Sequence, residues 1–142
     1  EIESPSITPA SKTTQFNSKH SKMLTNKLSI QQCASKHGQA DIVLAAGILY
    51  HLIDPISFLK DLKLLVKKET GRVFITTWCS HDKKPIATLN HGWRGDTTNF
   101  WLLSVPCMEK LLELYGYKIL NIRKVVDYED TSSYSFESSI PE

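Results

Sequence analysis

The segment 41-DIVLAAGIL-49 is apolar throughout after its first Asp, and it is β-branched early. A strand with one wet face alternates apolar and polar residues, whereas a strand buried on both faces does not. This run therefore reads as a strand of a parallel sheet. Asp54 then stands where a helix N-cap would stand, with Pro55 at the first helical position. Phe58, Leu59, Leu62, Leu65 and Val66 follow at helical spacing, with Lys60, Lys63 and Lys67 opposite and Gly71 as the expected stop. The segment 72-RVFITTW-78 is a second buried strand.

The pattern repeats once. Residues 79–103 read as a long polar loop carrying Gly92, Trp93 and Gly95. Loops of that length in compact domains are often functional. Ser104 is placed to cap a second helix, Pro106 lies in its first turn, and Gly116 closes it. The segment 117-YKILNIRKVV-126 is a further strand, and 133-SYSFES-138 alternates like a weaker one. Upstream, residues 1–27 are polar and read as irregular, while 28-LSIQQC-33 fits a short strand or a helix equally.

Strand, helix, strand, helix, strand defines an α/β fold with right-handed parallel crossovers. In such sheets ligands gather at the carboxyl ends of the strands. That places Tyr50, His51, Trp78, Cys79 and His81 on one rim.

Bulk properties exclude several classes. With 142 residues and 41% hydrophobic content the chain suits one globular domain. A net charge of +2 is too small to argue for nucleic acid or a membrane surface. No apolar run approaches the roughly 20 residues of a membrane span. Three dispersed cysteines argue against a disulfide framework and for a reducing, cytoplasmic setting. Residues 1–40 carry five Lys and two Glu, and 127–142 carry five acids and no base; both ends read as solvated tails. Cys79, His81 and Asp82 are a single cluster without a second cysteine pair, so no metal site is assigned.

The block 41-DIVLAAGILYHLIDPISFLKDLKLLVKKETGRVFITTW-78, with its G-x-L-Y-H-x-x-D-P core, resembles the middle of class I S-adenosylmethionine (SAM)-dependent methyltransferases. The stretch 92-GWRGDTTNFWLLSVPCMEKLLELYGYKIL-120 is similar to the same subgroup, which includes tRNA wobble-uridine modifying enzymes and sugar or small-molecule methyltransferases. The resemblance implies a Rossmann-like sheet in the order 3-2-1-4-5-7-6 with helices on both faces. Residues 41–49, 72–78, 117–126 and 133–138 then become strands four, five, six and seven. It divides the chain into a remnant of the N-terminal half (1–40), the methyltransferase core (41–126) and an acidic tail with a possible strand seven (127–142). It further implies methyl transfer from SAM to an oxygen or nitrogen nucleophile.

By that resemblance Ala46, Gly47 and Tyr50 border the methionine end of the cofactor. The residue types suit this: small residues admit a ligand to the backbone, and a tyrosine ring attracts a sulfonium cation. The competing reading of Tyr50 is a half-buried core aromatic. His51 is the candidate base or substrate-orienting group, or else caps the following turn. Arg94, Asn99 and Trp101 are candidates for holding the substrate, an RNA or a small molecule, or else they anchor the loop. Arg94-Gly95-Asp96 as an adhesion tripeptide is coincidence.

One departure is large. The family's first strand and its glycine-rich loop have no counterpart here, and the first glycine is Gly38. The opening 1-EIES-4 is a candidate end of strand two. Without strand one, strand four would show a bare apolar edge. With Glu1 in place of Met, this suggests the C-terminal part of a larger enzyme, completed by an N-terminal segment or a partner chain. The alternative is a non-catalytic methyltransferase-like module that supports a partner.

Overall fold

The computed structural model describes residues 27–142; the proposed strand-two remnant at 1–4 lies outside them. Ser29 opens α1 (Ile30–His37) with a capping box, its hydroxyl accepting the Gln32 N–H while the Gln32 side chain accepts the Ser29 N–H. The ambiguous segment 28–33 is therefore the start of a helix. Then come β1 (Ile42–Ala46), α2 (Pro55–Leu62), β2 (Arg72–Ser80), β3 (Ala87–Leu89), β4 (Trp101–Ser104), α3 (Val105–Leu114), β5 (Lys118–Asp127) and β6 (Thr131–Ser139).

The sheet runs β3-β4-β2-β6-β5, with β1 also paired to β2. β1 lies parallel to β2 over Ile42↔Arg72 to Ala46↔Thr76. β6 inserts between β2 and β5, antiparallel to both. Strands four, five, seven and six of the expected order are thus present in sequence. The antiparallel β6 separates β2 from β5, as the expected order has it for strand seven.

Three expectations are corrected. Residues 127–142 are not a solvated tail: Thr131, Ser132, Phe136 and Ser138 are all at most 2% exposed. Serine-rich β6 looked weak because a central strand's pairing on both edges does not register in local hydrophobicity. Residues 79–103 are not one loop, since β2 extends to Ser80 and the segment contains β3 and most of β4. Gly71 does not stop α2, which ends at Leu62 and tightens into a 3-10 turn over Lys63–Leu65. Gly71 is there for lack of room, because a Cβ would stand 2.5 Å from the Lys67 carbonyl oxygen.

The core joins Ala45, Val73, Ile75, Cys79 and Phe136 of the sheet to Leu59 and Leu62 of α2 and Met108 and Leu112 of α3. Each fully buried aliphatic side chain contributes about 1.5–3 kcal/mol. Asp54 caps α2 through the Ser57 N–H, with Pro55 in the first turn. Ser104 caps α3 through the Cys107 N–H, donates to the Lys84 carbonyl and accepts the Ile86 N–H. Past α3, Gly116 at φ 77° carries a Schellman closure, with Gly116 N–H on the Glu113 carbonyl and Tyr117 N–H on that of Leu112.

Among the described residues the helices of this core cover one face only. Ile42 and Leu44 on the opposite face of β1 are each 68% exposed. The reading of β1 as buried on both faces therefore holds for one face here. Among the described residues β1 pairs with β2 alone, which leaves its other edge open, as expected for strand four without a strand-one neighbour.

Candidate functional site

The carboxyl end of β1 builds the site. Gly47 extends the pairing by donating its N–H to the Thr76 carbonyl at 2.9 Å, then turns the chain at φ 67°. A short 3-10 turn, Leu49–His51, follows. Leu49 is 1% exposed and anchors that turn in the core, which leaves Tyr50 and His51 half-buried at the rim. Their rings lie 4.2 Å apart. The Tyr50 hydroxyl reaches back over Gly47, 3.5 Å from where a Cβ would stand. Gly47 and Tyr50 are thus in contact at the end of β1, next to exposed Ala46.

His51 has a defined tautomer. Its Nδ1 lies 3.1 Å from the Thr98 carbonyl oxygen and 3.0 Å from the Thr98 hydroxyl. A carbonyl only accepts, and the hydroxyl spends its own proton on Asp96 Oδ1 at 2.6 Å. Nδ1 of the neutral ring must carry the hydrogen, and Nε2 keeps its lone pair. Asp96 also accepts the Thr98 N–H. These hydrogen bonds from Thr98, with a smaller contribution from His51, hold its carboxyl below the usual range. The result is an Asp96–Thr98–His51 chain. Sequence reading missed Thr98 and discounted Asp96, because nothing local links residue 51 to residue 98.

The loop over this rim is tied to it by backbone: Phe100 N–H donates to the Tyr50 carbonyl at 2.9 Å. Trp93, 8% exposed, bridges the rim, its ring 6.0 Å from Tyr50 and 6.4 Å from Trp78. Trp78 in turn lies 5.3 Å from Tyr128.

The three substrate candidates do not converge. The Arg94 guanidinium packs on Trp78 and Tyr128 and donates to the Thr131 hydroxyl. Asn99 is 5% exposed and donates to the Trp93 carbonyl, while its Oδ1 has no partner among the described residues. Trp101 donates its indole N–H to the Ile53 carbonyl and lines a separate apolar hollow of about 270 Å³ with Pro55, Leu103 and Leu111. Two further rim assignments change. Cys79 points into the core, fully buried, with its thiol pushed up to about 12 by burial first and the neighbouring Cys107 second. His81 is engaged by the Ser132 hydroxyl at 2.8 Å, beside Asp127 at 3.8 Å.

A family model described as a methyltransferase domain matches residues 4–122. The chain belongs to the methyltransferase domain family. Among curated proteins it is 29% identical over 92 residues to the tRNA U34 carboxymethyltransferase of Campylobacter jejuni (serotype O:2), covering 64% of this chain and 31% of that protein. The corresponding protein of C. jejuni subsp. doylei is 32% identical over 79 residues, covering 55% and 27%. The methyltransferase chain described here thus spans about a third of the length of these relatives.

Solved structures share the fold at low identity. Burkholderia thailandensis 1,6-didemethyltoxoflavin-N1-methyltransferase, with S-adenosylhomocysteine bound, aligns with TM-score 0.56 and 17% identity over 72% of this chain and 44% of its own. Haemonchus contortus phosphoethanolamine N-methyltransferase 2, in complex with SAM, gives 0.54 and 11% over 72% and 33%. The cyclase SpnF gives 0.56 and 14% over 72% and 51%. The fold alone therefore does not fix the reaction.

Proposed function

We propose that this methyltransferase-family chain takes part in SAM-dependent methyl transfer to an oxygen or nitrogen nucleophile, as the C-terminal part of a larger enzyme. The observation that carries the reading is the Tyr50 hydroxyl overlying Gly47 at the carboxyl end of β1, beside exposed Ala46. The missing side chain at Gly47 lets the Tyr50 hydroxyl close over it, and this ring beside small exposed residues suits the methionine end of SAM. That cofactor supplies an electrophilic methyl group on a sulfonium sulfur. Tyr50 offers its ring face to the cation and its hydroxyl as a hydrogen-bonding group. The Nε2 lone pair of His51 can take a proton from an acceptor hydroxyl. Methyl transfer otherwise rests on holding two reactants in line and away from water.

The remaining wall has to come from outside the described residues. The edge of β1 that pairs with no described strand suits an added strand from an N-terminal segment, and the exposed face carrying Ile42 and Leu44 suits a covering helix from the same segment. The same edge favours a second reading, a methyltransferase-like module that docks on a partner chain and does no chemistry. The C. jejuni relatives are named for a tRNA uridine, so an RNA acceptor is included in the proposal beside small molecules. No helix among the described residues is long and apolar enough to cross a membrane, and a cytoplasmic setting is part of the proposal.

Calorimetric titration with S-adenosylhomocysteine tests this, using both the 142-residue chain and the product of its full reading frame. Binding by the latter, weakened by Tyr50→Ala, is the expected result. A full-length product that folds, lacks a glycine-rich strand–loop and binds nothing would support the docking module instead.

A further inference from the structure

Arg94 sits in the left-handed region at φ 59°, between Gly92 and Gly95, which share that region. Residues other than glycine avoid this conformation, and where one keeps it the surroundings over-determine it. The side chain shows what does so. Its guanidinium carbon lies 4.4 Å from the Trp78 ring, 4.5 Å from Tyr128 and 5.3 Å from Trp93. Nη2 donates to the Thr131 hydroxyl at 2.7 Å and stands 3.6 Å from the Asp130 carboxylate. One residue of the loop thereby grips the end of β2, the β5–β6 turn and the start of β6.

The same loop holds the rim at its other end. Phe100 N–H meets the Tyr50 carbonyl, and Thr98 receives His51 Nδ1. Between the two ends the loop is braced internally: Gly92 N–H donates to the Asn99 carbonyl, Asn99 N–H to that of Asp96, and buried Asn99 to Trp93. A displacement at Arg94 is therefore carried to residues 98–100.

We propose that Arg94 is a positioning residue, a latch that seats the 90–100 loop on the aromatic rim and so sets the placement of Tyr50 and the tautomer of His51. The cation-binding faces of Trp78 and Tyr128 are filled by the chain's own guanidinium, and Asp130 balances its charge. The purpose of this placement rests on the methyltransferase reading; the latch itself does not.

The test is NMR on the folded chain. In Arg94→Ala, exchange of the Phe100 amide accelerates by about tenfold or more while the Ile75 amide of the core is unchanged, and the His51 ring nitrogens lose the pattern of a proton held on Nδ1. Guanidinium at tens of millimolar restores both. Arg94→Lys does not, because an ammonium cannot lie flat on two rings while donating to Thr131. Unchanged Phe100 exchange and His51 signals in Arg94→Ala overturn the proposal. So does displacement of the wild-type Arg94 Nε–H signal by millimolar inorganic phosphate, which would mark an anion receptor. If Arg94→Ala does not fold, the double variant Thr131→Val, Trp78→Leu removes the hydroxyl that accepts from Arg94 and donates to Asp130, together with one of the rings under the guanidinium, and unchanged Phe100 exchange there overturns the proposal equally. A cofactor titration on the same samples reports on the methyltransferase reading separately.

Discussion

The Tyr50 hydroxyl lies 3.5 Å from the point a Cβ would occupy on Gly47, a residue held at φ 67°. Gly47→Ala therefore meets conformational strain rather than a clash, costing about 1–2 kcal/mol by the usual penalty for an L-residue in that region. Gly116→Ala, at φ 77° with nothing within 4 Å, should cost a similar amount in urea denaturation. Only Gly47→Ala should also weaken S-adenosylhomocysteine binding. Equal binding by the two variants would separate Gly47 from the cofactor wall.

Neutral His51 should carry its proton on Nδ1, since the Thr98 carbonyl can only accept. Ring nitrogen shifts in a long-range proton–nitrogen NMR spectrum read this directly. Thr98→Val removes the hydroxyl but keeps the carbonyl, so the tautomer should persist. A proton on Nε2 in the wild type would remove His51 as the base drawn above.

Much of this arrangement was legible in sequence. Asp54-Pro55 and Ser104-x-Pro106 announced their helices because capping is local chemistry. Reading 41–49 as a strand placed Tyr50 and His51 on the rim for a related reason, since strand end and turn are adjacent in the chain. The partners of those residues were not legible. Thr98 reaches His51, and Tyr128 and Thr131 reach Arg94, across 47, 34 and 37 positions. The Arg94 contacts follow from β6 threading between β2 and β5, which serine-rich local composition conceals, and the His51 contact follows from the 90–100 loop folding back on the end of β1. Arg94 and Trp101 looked available for a ligand because sequence shows a functional group but not whether the chain already uses it.

The cysteines should separate by burial. Cys33 and Cys107 are partly exposed and Cys79 is buried. Burial also raises the Cys107 thiol, and that of Cys79 to about 12. Thiolate is the reacting form. An aromatic disulfide reagent near pH 8 should label Cys33 and, more slowly, Cys107, leaving Cys79 silent until denaturant is added. Rapid labelling of all three in the native protein would contradict the packing of β2.

Acid should destabilise the fold through its depressed carboxyls. Asp41 is held down by Lys67, Asp54 by Ser57, Asp96 by Thr98, and Asp127 by Ser132 and then Lys124. Each folded value lies below the ordinary 3.8. Their stabilisation is therefore complete above that value and is lost as pH falls through the folded ones. The urea midpoint should show no loss from these groups between pH 7 and 5 and should fall below about pH 4. Asp54→Asn keeps a cap without a titrating group, so its acid limb should be shallower. An identical limb would remove Asp54 from the account.

The most direct test of the central claim is an amide NMR map of the product of the full reading frame during titration with S-adenosylhomocysteine. The account predicts saturable shifts at Ala46, Gly47 and Tyr50, with α3 beyond its first turn unmoved. Saturation with shifts confined to another face of the sheet, or none at the β1 terminus, would contradict it.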